Sequence, residues 1–233
     1  MLIKSPEERK ERARRNRTML WQFLNIHIYS DLETLAHHIG AKTKPVVSRI
    51  LKKWMHEGLV KKVQVKNKFG SCWLFGITTK ALEGDTTRRA FQPSKVNLRT
   101  LEHTLKCQRA SSYFLKHEAI ERRGHQLVNI ETGDLKKYGM KHRPDIIIQN
   151  KNEKLIGLVC IEVELSLKSK QRYDDILKSY ITLIQSSKVN QVIYIFYDEH
   201  LQSKFEKNIL SPFFTKHSVD KEIRSKVFVK TFE

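Results

Sequence analysis

Helix-forming segments separated by a short glycine-containing turn lie near the start of this chain, and they constrain its fold more than any other feature. Residues 16–28 carry apolar side chains at helical spacing. Ser30 is followed three residues later by Glu33, which predicts a capping box and a second helix that ends at Gly40. The apolar stripe of residues 45–57 predicts a third helix. Three helices are therefore expected, with a tight turn between the second and the third.

A β-hairpin is predicted directly after the third helix. Residues 59–65 alternate enough to form a strand, residues 66–70 form a basic turn, and residues 72–77 can return as the partner strand. This order resembles the winged-helix family of DNA-binding domains over about residues 16–80. The resemblance implies that the third helix enters the major groove and that the hairpin, or wing, contacts the backbone or the minor groove of DNA.

The residues that would contact DNA in such a domain are polar and mostly basic, and they lie on the third helix, the turn before it and the wing. They are Lys42, Lys44, Ser48, Arg49, Lys52, Lys53, Lys66 and Lys68. Two alternatives stay open, because these side chains could form only a solvated charged face or the module could dock a protein. The basic residues on both DNA-facing elements favour DNA.

The net charge of the chain, +19, also favours a polyanionic partner, because each neutralised phosphate releases counterions and adds affinity. Binding to an anionic membrane would instead need an amphipathic helix with a bulky apolar face, and residues 7–17 are polar all round. No apolar run approaches the roughly 18 residues that are needed to cross a bilayer, so membrane insertion is not expected. Double-stranded DNA is the predicted partner.

A cytoplasmic location is expected from the cysteines and the N-terminus. The three cysteines are far apart and form no CxxC pair, which argues against a disulfide framework and against a zinc site. The N-terminus is basic and has no apolar segment of the kind found in secretory signals.

A mixed α/β (α+β) domain is predicted for the rest of the chain. The predicted elements are a helix at 98–123, strands at 125–130, 144–149 and 157–165, a helix at 169–186, and further strands at 191–197 and 226–232 with a short helix at 199–205 between them. An antiparallel meander followed by a crossover unit resembles the restriction-endonuclease-like fold. The expected organisation is a DNA-binding domain at 1–82, a linker at 83–97 and this second domain at 98–233.

Three acidic residues on two neighbouring predicted strands form the candidate active site. Asp145 follows a proline at the start of one strand, while Glu162 and Glu164 share one face of the next strand because side chains at i and i+2 point the same way. Carboxylates in an apolar strand are costly unless they are paired or bind a cation. Mg²⁺ or Mn²⁺ would suit such ligands and would activate water for phosphodiester cleavage. The alternative is a turn aspartate beside two glutamates on a solvated sheet face.

The motif of Pro144 and Asp145 followed by Glu162-x-Glu164 resembles the PD-(D/E)xK nuclease superfamily. This sequence departs from that pattern, because the position of Glu164 usually holds a lysine. The resemblance implies that a lysine after the strand supplies the missing charge, with Lys168 the first choice and Lys170 the second. It also implies that a carboxylate of the domain's first helix, Glu102, can join the metal ligands.

The segments "HRPD" and "IEVELSLKSKQRYDDILKSY" in this domain order are similar to the replication-relaxation family of plasmid proteins, and within it to the MobC class of conjugative relaxases. The resemblance implies a protein that nicks one DNA strand at a plasmid transfer origin, together with an accessory mobilisation protein and a coupling protein. None of the ten histidines forms the His-x-His site of most relaxases, so nicking would rely on carboxylate–metal chemistry. Tyr173 and Tyr180 are weaker candidates for a nucleophile.

Three functions stay open at this point. The first is a metal-dependent, site-specific DNA nickase or relaxase. The second is a replication or transcription regulator whose nuclease-like domain is inactive. The third is an endonuclease that cuts both strands. The complete acidic trio favours the two enzymes, and no sequence feature separates nicking from double-strand cleavage.

Overall fold

The computed structural model describes residues 5–67, 70–83, 89–116, 125–127, 135, 138–150 and 158–232. These residues form a mixed α+β fold with two sheets, and the chain divides into two compact units, Met1–Ser112 and Tyr113–Glu233. No helix in these ranges combines the length and apolar character that a membrane span requires.

Three helices open the first unit: α1 (Pro6–His27), α2 (Leu32–His38) and α3 (Pro45–His56). α1 begins ten residues before the start that apolar spacing predicts, because Ser5 and Glu8 form a capping box in which each side chain accepts from the other residue's backbone N–H at 3.1 Å. The basic N-terminal segment is therefore helical.

The capping box predicted at Ser30 is wrong, because Ser30 belongs to a strand. The cap of α2 is Asp31, whose Oδ1 accepts from the backbone N–H of Thr34 at 2.6 Å. The buried Ser30 hydroxyl instead donates to Oε1 of Gln108 at 2.6 Å. Ser30 lies in a short strand that pairs with the hairpin, one residue before the cap of the helix.

The first sheet has three antiparallel strands in the order β1-β3-β2, namely β1 (Tyr29–Asp31), β2 (Val60–Asn67) and β3 (Gly70–Ile77). One face packs on the helices through Val60, Phe75 and Ile77. The inward stripe of α3 completes this core with Val47, Leu51 and Trp54. The hairpin that the alternating pattern predicts is therefore present, and β1 extends it by one strand.

The opposite face of this sheet is covered by the chain that follows it. Phe91 is buried there, and its N–H donates to the carbonyl of Ile77 at 2.8 Å. α4 (Leu101–Lys116) adds Leu101 and Leu105 to the same apolar cluster. The first unit thus extends past the predicted boundary at residue 82, and residues 89–97 of the expected linker pack on the sheet.

Substituting Gly76 by Ala is expected to destabilise the first unit by about 1–3 kcal/mol, because overpacking a filled core forces side chains to shift. A Cβ on Gly76 would lie 2.3 Å from Cγ and 2.5 Å from Cβ of Phe91. Tryptophan fluorescence during urea unfolding measures the change, since Trp21, Trp54 and Trp73 are the chain's three tryptophans and all belong to this unit. In a Phe91→Ala background the same substitution should cost far less, and an equal cost in both backgrounds contradicts the packing.

The second sheet has five strands in the order β4-β5-β6-β7-β8. They are β4 (His125–Leu127), β5 (Ile146–Asn150), β6 (Leu158–Glu164), β7 (Val189–Phe196) and β8 (Val227–Thr231). β4, β5 and β6 pair antiparallel, while β6, β7 and β8 pair parallel. α5 (Lys170–Gln185) connects β6 to β7. This is the meander and crossover that the sequence predicts.

Helical segments between β7 and β8 complete the unit: α6 (Glu199–Phe205), a π-helical turn (Glu206–Leu210), α7 (Ser211–Lys216) and α8 (Lys221–Arg224). The core lies between α5 and the sheet, where Tyr173, Leu177 and Tyr180 pack against Cys160 of β6 and Tyr194 of β7. The face of β6 that carries even-numbered residues therefore points at α5.

Candidate active site

Glu162 and Glu164 lie on the α5-facing side of β6 and are almost completely buried, with 2% and 3% of their surface exposed. Their neighbours on this face, Leu158 and Cys160, belong to the apolar core. The alternation of β6 thus places two carboxylates at the end of an apolar strand, where an uncompensated charge is costly. The alternative of a solvated sheet face does not hold for these two residues.

Asp145 lies beside the two glutamates because β5 pairs with β6. Ile146 is opposite Ile161, so Asp145, the residue directly before β5, is next to Glu162. Oδ2 of Asp145 accepts from the backbone N–H of Val163 at 2.8 Å. The structure therefore brings together the three predicted acidic residues, which we call the carboxylate cluster (Asp145, Glu162 and Glu164).

Two side chains hold the Glu162 carboxylate. The Tyr180 hydroxyl of α5 donates to its Oε1, and Nε2 of His142 lies 2.9 Å from the same oxygen. Burial raises the pKa of the Tyr180 phenol well above its usual value, and the Glu162 charge raises it further. Tyr180 is therefore protonated and acts as a hydrogen-bond donor, which argues against a nucleophilic role.

Lys168 is the cation beside Glu164, as the resemblance to the nuclease superfamily implies. Its ammonium donates to Oε1 of Glu164, four residues earlier in the chain. Burial raises the pKa of the Glu164 carboxyl, Lys168 opposes that rise, and the charges of Glu162 and Asp145 add to it. The three carboxylates of the cluster therefore carry more negative charge than the single positive charge of Lys168 compensates.

The hydroxyls of Tyr173 and Tyr194 are both buried, and that of Tyr194 has no hydrogen-bond partner among the residues that the structure describes. Burial raises the pKa of both phenols, and the nearby glutamates raise it further. Tyr194 lies opposite Glu162 in the β6–β7 pairing. Tyr173 is fully buried, so its hydroxyl is not accessible to a DNA strand, which argues against a nucleophilic role.

The chemistry of these donors fits a hard divalent cation. Mg²⁺ and Mn²⁺ prefer carboxylate oxygens, and all three acidic residues of the cluster supply them. Two carboxylates that are buried side by side repel each other, so a cation is the natural way to keep both ionised. The donor atoms of these residues are therefore of the type that Mg²⁺ and Mn²⁺ prefer.

The two other predicted site residues, Lys170 and Glu102, lie in the first turns of two helices. Lys170 begins α5 and lines a groove with Asp174 and Lys216, and within the described ranges it forms no ion pair with the carboxylate cluster. Glu102 lies in the first turn of α4 and belongs to the first unit. Within the second unit, Lys168 is therefore the lysine that pairs with the cluster, and the role of Glu102 stays a prediction.

The predicted DNA-contacting side chains are mostly exposed on the first unit. Those of Lys42, Lys44, Arg49, Lys52, Lys53 and Lys66 are exposed, and that of Ser48 is half-buried. Two of them have acidic neighbours, since Lys44 lies 4.0 Å from Glu33 and Lys53 lies 3.7 Å from Glu57. Lys68 lies outside the described residues.

Sequence reasoning missed His142 as a partner of Glu162, although it stands three residues before Asp145 in the "HRPD" segment. This position close to Asp145 in the sequence was the feature that could have indicated His142 as a site residue. Tyr180 carried no comparable signal, because it is 18 residues from Glu162 and reaches it only through the crossover helix.

Comparisons with known proteins add little to this picture. No protein-family model matches the sequence, and none of the curated proteins matches it. Among solved structures, the restriction endonuclease FokI matches with 11% identity and a TM-score of 0.23, over 99% of this chain and 49% of that one. This chain spans about half the length of FokI, and a TM-score of that size does not show a shared fold.

Proposed function

We propose that this protein is a metal-dependent DNA endonuclease whose active site is the carboxylate cluster. The observation that carries the proposal is the burial of Glu162 and Glu164 beside Asp145, with Lys168 as the adjacent cation. Buried like charges are rarely kept for stability, because a well-packed apolar replacement is often neutral or stabilising. A buried carboxyl whose pKa is raised by burial, as that of Glu164 is, favours a functional site.

The residues of the chain have separable tasks in this proposal. Asp145, Glu162 and Glu164 would hold Mg²⁺ or Mn²⁺, and the bound ion would neutralise phosphate charge and acidify water. Tyr180 and His142 fix the orientation of the Glu162 carboxylate through their contacts with Oε1. Lys168 places a positive charge at the cluster, where it can stabilise charge that develops on a scissile phosphate.

The first unit is proposed as the DNA-binding module. Helices α1 to α3 followed by the β2–β3 hairpin are the order expected of a winged helix, which supports placing α3 in the major groove. The outward face of α3 carries Arg49, Lys52 and Lys53, whereas its inward face is apolar. The net charge of +19 supports strong, salt-dependent attraction to phosphates.

The finer proposal is a relaxase that nicks one strand at a plasmid transfer origin, working with an accessory mobilisation protein and a coupling protein. It rests on the resemblance of the "HRPD" segment and the sequence that follows to the MobC class. One carboxylate cluster among the described residues is consistent with one cut, because cutting both strands at once would need two active sites about a two-fold axis. A double-strand endonuclease is the second candidate, and a regulator with an inactive nuclease-like domain is the third.

Incubation with supercoiled plasmid tests the proposal and separates the candidates. With Mg²⁺ or Mn²⁺, a plasmid that carries the cognate transfer origin should convert to open circles, and neither an origin-free plasmid nor a reaction with EDTA should convert. Linear product at the earliest times, without open circles, would replace the nickase by the double-strand endonuclease. Duplex binding with no cleavage under either metal would support the regulator instead.

A further inference from the structure

A groove of about 280 Å³ lies on the first unit between α3 and the β2–β3 hairpin. α3 lines it with Ser48, Lys52 and Met55, and the hairpin lines it with Lys62, Trp73 and Phe75. The lining thus combines apolar and aromatic side chains with lysine ammonium groups. Both walls belong to the same compact unit, so the groove does not depend on the second unit.

Trp73 is the feature of this groove that the fold does not explain. Its side chain is 45% exposed, although Leu74 and Phe75 beside it on β3 are buried. A large aromatic side chain gains stability from burial, so an indole left open in a groove indicates a surface for a partner. The ammonium of Lys62 lies 4.0 Å from the centre of the indole ring, a cation–π contact.

The charge of the groove favours an anionic partner. Three lysines, Lys44, Lys52 and Lys62, line it. The two acidic residues that also line it, Asp31 and Glu33, already pair with Arg109 at 3.3 and 3.2 Å. Lys44 also lies 4.0 Å from Glu33, so Lys52 and Lys62 are the lysines of the groove that are left to attract phosphates beside its aromatic side chains.

We propose that this groove binds an unpaired nucleobase of a single DNA strand, stacked on Trp73, with Lys52 and Lys62 binding the adjacent phosphates. Every base presents a π-face to an aromatic ring, so stacking on an indole accepts any sequence, and a basic groove follows the strand. Lys62 is placed to exchange its contact with the ring for a contact with a phosphate. The inference rests on the proposed function in DNA processing and adds single-stranded DNA to the substrates of the first unit.

Binding of oligo(dT) to the full chain in EDTA tests this inference without any cleavage. Oligo(dT) should quench tryptophan fluorescence of the wild type, and Trp73→Ala should remove the quenching and weaken binding about tenfold, the effect expected when one stacked base is lost. Trp21→Phe is the matched control, because Trp21 packs edge-on against Trp54 with ring centres 5.3 Å apart and should leave both readouts unchanged. Lys62→Gln should weaken binding and lower the salt slope by about one.

Duplex binding provides the readout that separates this inference from the proposed function. Arg49→Glu should weaken duplex binding and spare oligo(dT) binding, whereas Trp73→Ala should do the reverse. Oligo(dT) binding by Trp73→Ala equal to that of the wild type overturns the inference, as does quenching that persists in that variant. A chain that binds oligo(dT) through Trp73 but never cleaves plasmid would refute the endonuclease and leave the single-strand site standing.

Discussion

Replacing Glu162 by Gln is expected to lower metal-dependent cleavage by roughly 100- to 1,000-fold, the range seen when one charge-stabilising group is lost from an active site. The amide keeps the size of the side chain and can keep its contacts with Tyr180 and His142, so the change removes mainly charge. Conversion of supercoiled plasmid measures the rate. Asp145→Asn and Glu164→Gln should have effects of similar size, because all three carboxylates belong to one cluster.

Thermal stability and a matched substitution give this prediction its controls. Mg²⁺ should raise the melting temperature of the wild type but not of Glu162→Gln, because a ligand stabilises only a protein that binds it. The metal-free variant should be at least as stable as the wild type, since a buried like-charge repulsion is relieved. Glu199→Gln, at an exposed position in α6, is the matched substitution and should cleave normally. Full cleavage by Glu162→Gln would make Glu162 structural.

Reversing two charges on α3, with Arg49→Glu and Lys52→Glu together, is expected to abolish specific duplex binding while the fold is kept. Both side chains are exposed and contribute nothing to the core of the helices. Two lost phosphate contacts should lower the slope of log K against log salt by about two, in addition to the repulsion that the new carboxylates create. Fluorescence anisotropy with a labelled duplex at several salt concentrations measures both effects.

A charge-matched variant in the second unit separates a local effect from a loss of net charge. Lys207→Glu with Lys221→Glu removes the same charge from exposed positions of the unit that is not proposed to read DNA. Its specific binding should weaken only slightly. Equal losses in the two double variants would show that α3 contributes only to the general attraction, and undiminished binding by the α3 variant would remove α3 from the interface.

The strands of the carboxylate cluster could be predicted closely because their pattern is local. Residues 144–149 and 157–165 were the predicted strands, and β5 and β6 agree with them to within two residues. Alternation places Glu162 and Glu164 on one face whatever the strand pairs with. The resemblance to the nuclease superfamily implied Lys168 as the lysine of the site, and its pairing with Glu164, four residues earlier, is a local contact just beyond the end of β6.

The environment of the site could not be predicted, because it comes from segments that are far apart in sequence. Tyr180 contacts Glu162 only because α5 packs on one particular face of the sheet. The groove with Trp73 likewise needs α3 and the hairpin to lie side by side, and the alternation of β3 does not say which of its side chains the helices will cover. Hydrophobic periodicity reports which face of an element is apolar, but not the neighbour that buries it.

The sequence by itself determined most of the order of helices and strands, the basic character of the chain, and the shared face of Glu162 and Glu164. These follow from spacing over a few residues and from composition. Only the tertiary structure decided that Asp145 joins them, that both glutamates are buried, and that Phe91 packs against Gly76 instead of lying in a linker. The physical reason is that burial and pairing depend on contacts between distant segments, whereas periodicity acts within one segment.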